Sequence, residues 1–418
     1  MYCGSCIRDN TLATALTRKG HDVTLLPLYT PTRTDEENVS QQRVFFGGIS
    51  VYLEQYVSLF RKTPWLLDRL WESPWLLKAV SGRAVGTSPT QLGSLTVSVL
   101  EGTHGHQRKE LDKLVHWLKG QPRPDVLDIS NSMLIAIAEP LKQALGCPIN
   151  CTLQGENIFM DGLLEPYRGR AKELIRSHVE HVDSFVAVSD YYAGYMSRYL
   201  QIPGAKMRVV PLGVNIDRFQ PAPGPSNGRL TMGYLGRIAP EKGIHLLCDA
   251  FRDLRERGAL ADCRVELAGY LGPEHNAYWQ SIEREVKSWG LSDDVHYRGE
   301  LDLDAKVAFL QGLDLFVVPA VYDDPKGMSL IEAMACGVPV VAPRRGTYTE
   351  MLERTGGGVL VDPENLEQLE ETLEQLSGDP ERLAELGRSA RAGIEEHYGT
   401  DEMATRTLDV YERLVPTS

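Results

Sequence analysis

Short apolar runs that close on a glycine or a turn, each followed by a stretch of helical spacing, dominate the second half of this chain. Leu230–Arg237 (LTMGYLGR) leads into Glu241–Gly258 and Cys263–Tyr270 into His275–Trp289. Asp294–Leu301 leads into Asp304–Leu310, Asp314–Ala320 into Ser329–Gly337, and Val338–Pro343 follows. A strand that is apolar along its whole length is buried on both faces, and strands separated by helices run parallel. The pattern predicts an α/β domain built on a doubly wound parallel sheet, with its ligands outside the carboxyl ends of the strands.

The first half repeats this rhythm less regularly. A helix is expected over Ser5–Lys19, and strands over Asp22–Tyr29, Ile49–Tyr56, Leu95–Gly102, Asp125–Ser130, Pro148–Gly155, Ser184–Ser189 and Met207–Val214. Pro221–Gly228 (PAPGPSNG) is a linker by composition. The expected division is a Rossmann-like domain over 1–220, a linker over 221–228, a second Rossmann-like domain over 229–395, and a last helix, 401–415, packed back on the first domain. A doubly wound domain opens with a strand ahead of its glycine turn. Here the turn Cys3-Gly4-Ser5-Cys6 comes at once, so the expectation is a start upstream of Met1 rather than the loss of a central strand, which would leave neighbouring ladders open.

Composition removes several classes. At 42% hydrophobic the 418 residues are too apolar for disorder and long enough for two cores. Lys+Arg 44 against Asp+Glu 57 gives −13, which excludes a general nucleic-acid binder. The 7 cysteines, an odd number, suit a reducing compartment. No apolar run approaches the ~18–20 residues of a membrane span, and MYCGSCIRDN lacks the basic start and apolar core of a signal peptide. The expected location is cytoplasmic. Leu59–Val80 interleaves Trp65, Leu66, Leu70, Trp71 and Trp75 with Arg61, Lys62, Arg69 and Lys78. Two readings of it stay open: packing on the first domain, or peripheral contact with the inner membrane face or an apolar acceptor.

Three features carry chemistry. Gly236-Arg237 ends the first strand of the second domain, and Lys242 opens the helix after it, so two cations stand at the carboxyl edge of the sheet. Gly327, Met328 and Ser329 start a helix whose first amides form an anion cradle. Asp324 and Glu332 flank that helix start, where carboxylates can accept hydrogen bonds from sugar hydroxyls.

GRIAPEKG and DDPKGMSLIE resemble, in order and spacing, the donor-phosphate motif and the E-x7-E motif of family 4 retaining glycosyltransferases of the GT-B fold, with Asp324 where the first Glu is usual. CGSCIRDNTLATALTRKGHDVTLLPLYTPTRTDE is similar to the opening of a bacterial branch of that family, without its first strand. The resemblance implies two Rossmann-like domains facing across a cleft and transfer of a sugar from a nucleotide-diphospho-sugar, with no metal or further cofactor. It implies that Arg237 and Lys242 grip the diphosphate, that Glu332 holds the ribose, that Asp324 contacts the donor sugar, that Gly4 and Ser5 face the diphosphate, and that Arg298 in YRGEL lies by the base. Many relatives carry a histidine where this chain has Gln154, which leaves Glu156 or the donor phosphate as the proton acceptor. The acceptor is a sugar, a lipid-linked sugar or a small molecule, and no nucleic acid is involved. A nucleotide-sugar epimerase and a catalytically silent nucleotide-sugar binder remain the alternatives.

Other motifs have plainer explanations. Cys3 and Cys6 with Cys147 and Cys151 resemble a thiolate set, but Cys151 falls inside an expected strand, and small turn residues are the simpler reading. Asp302-x-Asp304 resembles a metal-binding pair, yet it precedes a helix and fits a cap.

Overall fold

The computed structural model describes residues 4–28, 31–46 without 33, 35, 42 and 43, residue 55, 89–222 and 229–415. In the first domain helix α1 spans Gly4–Arg18, α2 Pro89–Leu100 and α3 Arg108–Lys119. Strand β1 (Leu127–Ile129) is followed by α4 (Ala138–Leu145), β2 (Ile149–Leu153), α5 (Asn157–Asp161) and α6 (Tyr167–His178), then β3 (Ser184–Ala187), α7 (Asp190–Leu200) and β4 (Met207–Val209). The four strands pair in parallel in the order β1-β2-β3-β4. Every residue of β2 and β3 is buried, the polar Asn150 and Thr152 included, whose side chains donate to Asp128 Oδ1 of β1 at 2.9 and 3.0 Å.

The second domain runs β5 (Leu230–Leu235), α8 (Ile244–Glu256), β6 (Cys263–Ala268), α9 (Asn276–Ser288), β7 (Val295–Tyr297), α10 (Leu303–Gln311), β8 (Leu315–Val317), α11 (Met328–Ala335), β9 (Val340–Pro343), α12 (Thr347–Thr355) and β10 (Gly358–Val361), then α13 (Leu366–Ser377) and α14 (Pro380–His397). Its sheet is parallel, in the order β10-β9-β8-β5-β6-β7. Helix α8 shows why it forms. Ile244, Leu247, Cys248, Phe251 and Leu254 recur at helical spacing, and all are buried on the sheet.

The last helix, α15 (Thr400–Glu412), crosses to the first domain. Its Met403, Ala404 and Val410 share a buried cluster with Leu12, Ala15 and Leu16 of α1 and with Val186 and Val210. The crossing is fixed at its root, where Val214 N donates to Tyr398 O at 2.8 Å.

Two strand expectations fail. Leu95–Gly102 is not a strand: its first six residues end helix α2. Gly93 lets α2 pack closely on α6. The ring of Tyr167 in α6 lies where a Cβ at Gly93 would stand, 2.5 Å from Cδ2, so the two helices close tightly, and Ser98 Oγ donates to Gln107 at 2.8 Å. Tertiary packing here overrides the β preference of Val97 and Val99. Of the expected strand Asp22–Tyr29, residues 22–28 pair with no strand among the described residues, and their contacts include Leu25 O accepting from Gln41 N and Leu28 O from Phe46 N. The expectations for Ile49–Tyr56, apart from Gln55, and for the amphipathic stretch Leu59–Val80 lie outside the described residues, as do 223–228 of the linker. Strand β10 and helices α12 to α14 were not anticipated from the sequence.

Candidate functional site

In the second sheet β5 is flanked by β6 on one side and β8 on the other, so the winding reverses between β5 and β8. The loops that leave β5 and β8 diverge at such a point and open a crevice at the carboxyl edge. Lys242 comes from the first loop and Asp324 from the second. A single turn, Pro240–Lys242, precedes α8, so Lys242 lies before the helix and not within it. Gly243 makes this possible. It has φ 71°, and a Cβ there would overlap the carbonyl oxygen of Pro319. The two loops are laid against each other, with Val321 N donating to Glu241 O at 3.0 Å.

Asp324 is the hub. Lys242 Nζ stands 3.1 Å from its Oδ2, Tyr348 OH donates to the same oxygen at 3.0 Å, and Tyr322 OH donates there as well. Its Oδ1 accepts from Lys326 N at 2.9 Å and Gly327 N at 3.2 Å. Burial alone would raise this carboxyl. The Lys242 charge, the Tyr322 hydroxyl and the two amides outweigh burial and hold it well below the ordinary carboxylate range. Burial raises the Tyr322 and Tyr348 phenols, and the charge of Asp324 raises them further, so both remain donors. Lys242 also donates to Tyr322 OH. The loop is clamped from behind by Gly346 (φ 56°), whose Cβ would fall 2.6 Å from Asp324 O. Met328 and Ser329 follow in the first turn of α11.

The other expected donor residues take up specific partners. Glu332 is buried in α11 and accepts from Lys306 Nζ at 2.7 Å. Arg237, following Gly236 at the end of β5, pairs with Glu241 at 2.5 Å and is 37% exposed, so its guanidinium stays within reach of a ligand. Arg298 forks onto Glu266 of β6 at 2.6 and 2.8 Å. Across the cleft, Lys326 Nζ donates to Ser5 Oγ at 3.0 Å, and a Cβ at Gly4 would lie 3.7 Å from the same ammonium.

Glu156 is not a loop carboxylate in water. It is buried, its Oε1 accepting from Ser132 N at 3.0 Å and Ser132 Oγ at 2.7 Å, its Oε2 from Gln154 N at 2.7 Å and Tyr192 OH at 3.2 Å. Gln154 donates to Asp9 Oδ1 at 3.0 Å and to Ser130 O at 2.9 Å. Burial lifts the Asp9 carboxyl above its ordinary value against the pull of Arg8. The two domains touch beside this floor. Ser189 Oγ donates to Pro325 O at 3.0 Å, and Glu350 of α12 accepts from the amides of Asp190 and Tyr191 at 3.1 and 2.9 Å.

Sequence reasoning missed Tyr322, Tyr348, Lys306 and Lys326. Tyr322 had a signal, since it stands two positions before Asp324 in a non-helical segment, where alternate side chains share a side. Tyr348 and Lys306 had none, because only the packing of α12 and α10 brings them in. Of the other motifs, Cys6 lies within α1 and not in a turn. Cys151 is buried in β2 with its thiol raised by burial, and Asp302 caps α10 by accepting from Ala305 N at 2.9 Å. Cys3 lies outside the described residues.

Solved structures share this architecture. A glycosyltransferase from Rickettsia africae matches with a TM-score of 0.68 at 16% identity, over 99% of this chain and 96% of its own. HepE from Anabaena, solved in complex with UDP-glucose, matches with a TM-score of 0.62 at 16% identity, over 94% and 99%. At such identities the likeness is one of fold. Two parallel α/β domains facing across a cleft, with the last helix crossing back, define the GT-B class. The family described as "Glycosyl transferases group 1" matches residues 215–393, and the "Glycosyl transferase 4-like domain" matches 10–213. The chain belongs to the family 4 glycosyltransferases. A D-inositol 3-phosphate glycosyltransferase of Streptomyces bingchenggensis is 29% identical over 240 residues, which is 55% of this chain and 52% of that protein. The chain thus spans about half the length of that relative.

Proposed function

We propose that this protein transfers a sugar from a nucleotide-diphospho-sugar to a hydroxyl acceptor, with retention at the anomeric carbon and without a metal. The observation that carries this reading is the Lys242 ammonium held 3.1 Å from Asp324 at the sheet's switch point, beside the first turn of α11. A diphosphate laid into that crevice meets Lys242, the half-exposed Arg237 and the positive end of α11. It also meets Lys326 on the same loop, and Gly4 and Ser5 from across the cleft. The UDP-glucose complex of HepE supports a nucleotide-sugar as the donor class.

In this reading the bond from the anomeric carbon to the β-phosphate oxygen breaks and its electrons pass to the departing diphosphate. The fixed cations and amides stabilise the charge that builds there. The acceptor hydroxyl attacks from the same face, and its proton passes to the leaving phosphate oxygen. Asp324, kept ionised, faces the donor sugar. Glu332, set by Lys306, receives the ribose hydroxyls, and Arg298 flanks the base. Glu156 shapes the floor of the acceptor side, its oxygens engaged by Ser132, Gln154 and Tyr192, and the departing phosphate serves as the base. Approach of the two domains excludes water. The acceptor is a sugar, a lipid-linked sugar or a small molecule, and the setting is the cytoplasm, at or near the inner membrane face.

A panel of UDP-, GDP- and ADP-sugars, followed by donor hydrolysis and by transfer in the presence of EDTA, tests the proposal. Turnover of one donor class that survives EDTA and is lost in Lys242→Ala supports it. Gln154, which cannot take a proton, favours a second reading as a silent binder, and saturable donor binding without turnover would establish that reading instead. Absence of binding across the panel overturns both.

A further inference from the structure

At the pole of the first domain away from the cleft, Glu139 of α4, His178 at the end of α6 and His181 in the turn Val179–His181 converge. Each offers one ligand atom, and the three atoms lie within 4.8 Å of one another. The turn leads directly into β3, so the cluster lies at the amino end of that strand, opposite the edge that carries Ser189 and the cleft.

Two features separate this cluster from a chance meeting of polar groups. The first is the state of His178. Its Nε2 lies 3.0 Å from the carbonyl oxygen of Leu100, the last residue of α2, which makes Nε2 the protonated nitrogen and leaves Nδ1 as a bare lone pair. That Nδ1 is shut from solvent and has no hydrogen-bond partner among the described residues. A buried acceptor without a donor is costly unless something else fills the position. The partner arrangement, a ring N–H given to a backbone carbonyl, is the one that orients metal-binding histidines and raises their basicity.

The second feature is the support around the other two groups. Gln143, one turn along α4, donates to Glu139 Oε1 at 3.0 Å and so orients the carboxylate, whose Oε2 lies 3.7 Å from His181 Nε2. The Glu180 carboxylate is 3.8 Å from the same nitrogen and adds negative charge. The nearby Lys142 ammonium is paired with Asp183 at 2.6 Å. His181 and Glu139 are 29% and 44% exposed, which gives an entry path from water.

We propose that Glu139, His178 and His181 bind a divalent transition metal, zinc by preference, that pins α4 and the end of α6 to the root of β3. Two imidazoles and one carboxylate are a borderline donor set that suits zinc, and a water completes the tetrahedron. Ligand atoms around tetrahedral zinc stand roughly 3.3 Å apart, so the triangle closes by rotamer adjustments of the exposed His181 and Glu139. The site lies outside the proposed transfer machinery, so its role is to stabilise the first domain.

The test uses the whole chain, stripped with EDTA and dialysed, then titrated with zinc chloride by calorimetry and followed by thermal unfolding. One zinc is expected to bind and to raise the Tm, while magnesium and calcium leave it unchanged. His181→Gln and Glu139→Gln, both at partly exposed positions, are each expected to weaken zinc binding by ~10–100-fold and to remove the thermal shift, with donor turnover intact. His178→Ala is expected to do the same, and the two exposed variants keep the test valid if that buried change impairs folding. Cobalt in place of zinc is expected to give a visible absorption band that these variants lack. A Tm indifferent to zinc, or zinc binding undiminished in a Glu139→Gln/His181→Gln double variant, overturns the proposal.

Discussion

Lys242 and Asp324, 82 positions apart in the chain, meet at 3.1 Å where the winding of the second sheet reverses. The pair is largely buried, with side chains 18% and 13% exposed. Each partner therefore sets the state of the other, and the loops that carry them are fixed as one unit.

Lys242→Ala is expected to lower donor turnover by ~10²–10³, the usual consequence of removing one preorganised charge from a developing anion. It also leaves Asp324 buried without its cation. A loss of ~3 kcal/mol in urea unfolding is expected, at the low end for a broken buried pair because some water reaches both groups. Unchanged turnover would reduce Lys242 to a structural partner.

Asp324 is ionised in the folded chain at pH values where it is protonated in the unfolded one. Its contribution to stability is complete above the unfolded carboxylate range, near pH 4, and is lost as pH falls toward the lower folded value. The gap in unfolding free energy between wild type and Asp324→Asn is expected to be level from about pH 7 to 5 and to narrow below about pH 4. A gap that widens in acid would contradict the assignment.

Arg237 is half-exposed and its pairing with Glu241 is a surface i, i+4 contact. Arg237→Ala is expected to change stability by less than ~0.5 kcal/mol. If the guanidinium meets the diphosphate, the same change costs ~1.5–3 kcal/mol of transition-state stabilisation, a fall of roughly ten- to a hundredfold in kcat/KM. Steady-state kinetics beside a melting curve separate the two effects.

Glu156→Gln sets an amide where the Gln154 N–H already points, and is expected to destabilise the first domain by ~1–3 kcal/mol. A positioning role predicts that turnover falls in step with the folded fraction, and that the pH profile keeps its shape. Loss of the acid-side limb of that profile with an unchanged Tm would return Glu156 to the role of base.

Gly243→Ala forces a left-handed residue and an overlap with the Pro319 carbonyl. A stability loss of ~2–3 kcal/mol is expected, with donor turnover reduced as well because Lys242 is displaced. Retained turnover would mean that the loop tolerates the shift.

Much of the second domain was legible because its strands and helices announce themselves at short range. LTMGYLG can only be a buried strand, and the face Ile244, Leu247, Phe251 and Leu254 can only be the inner side of a helix. The order GRIAPEKG, then DDPKGMSLIE, also placed Lys242 and Asp324 at the correct edge. The first domain was harder. LTVSVL spells a strand by its β-branched residues, yet it ends a helix packed on α6, with Gly93 set against the Tyr167 ring. The sequence offered Glu156 as a proton acceptor and gave no sign that its oxygens are engaged, because the donors Ser132, Gln154 and Tyr192 come from three separate places in the chain.

The sequence by itself determined the α/β class, the parallel winding and the residue types gathered at the carboxyl edge, because periodicity and turn chemistry act over a few neighbouring residues. The tertiary structure alone decided which of those residues face one another. It set Tyr322 and Tyr348 on Asp324, Lys306 on Glu332, and Lys326 across the cleft on Ser5. Such contacts depend on how layers pack and on which loops leave adjacent strands, and no local pattern in the chain records that.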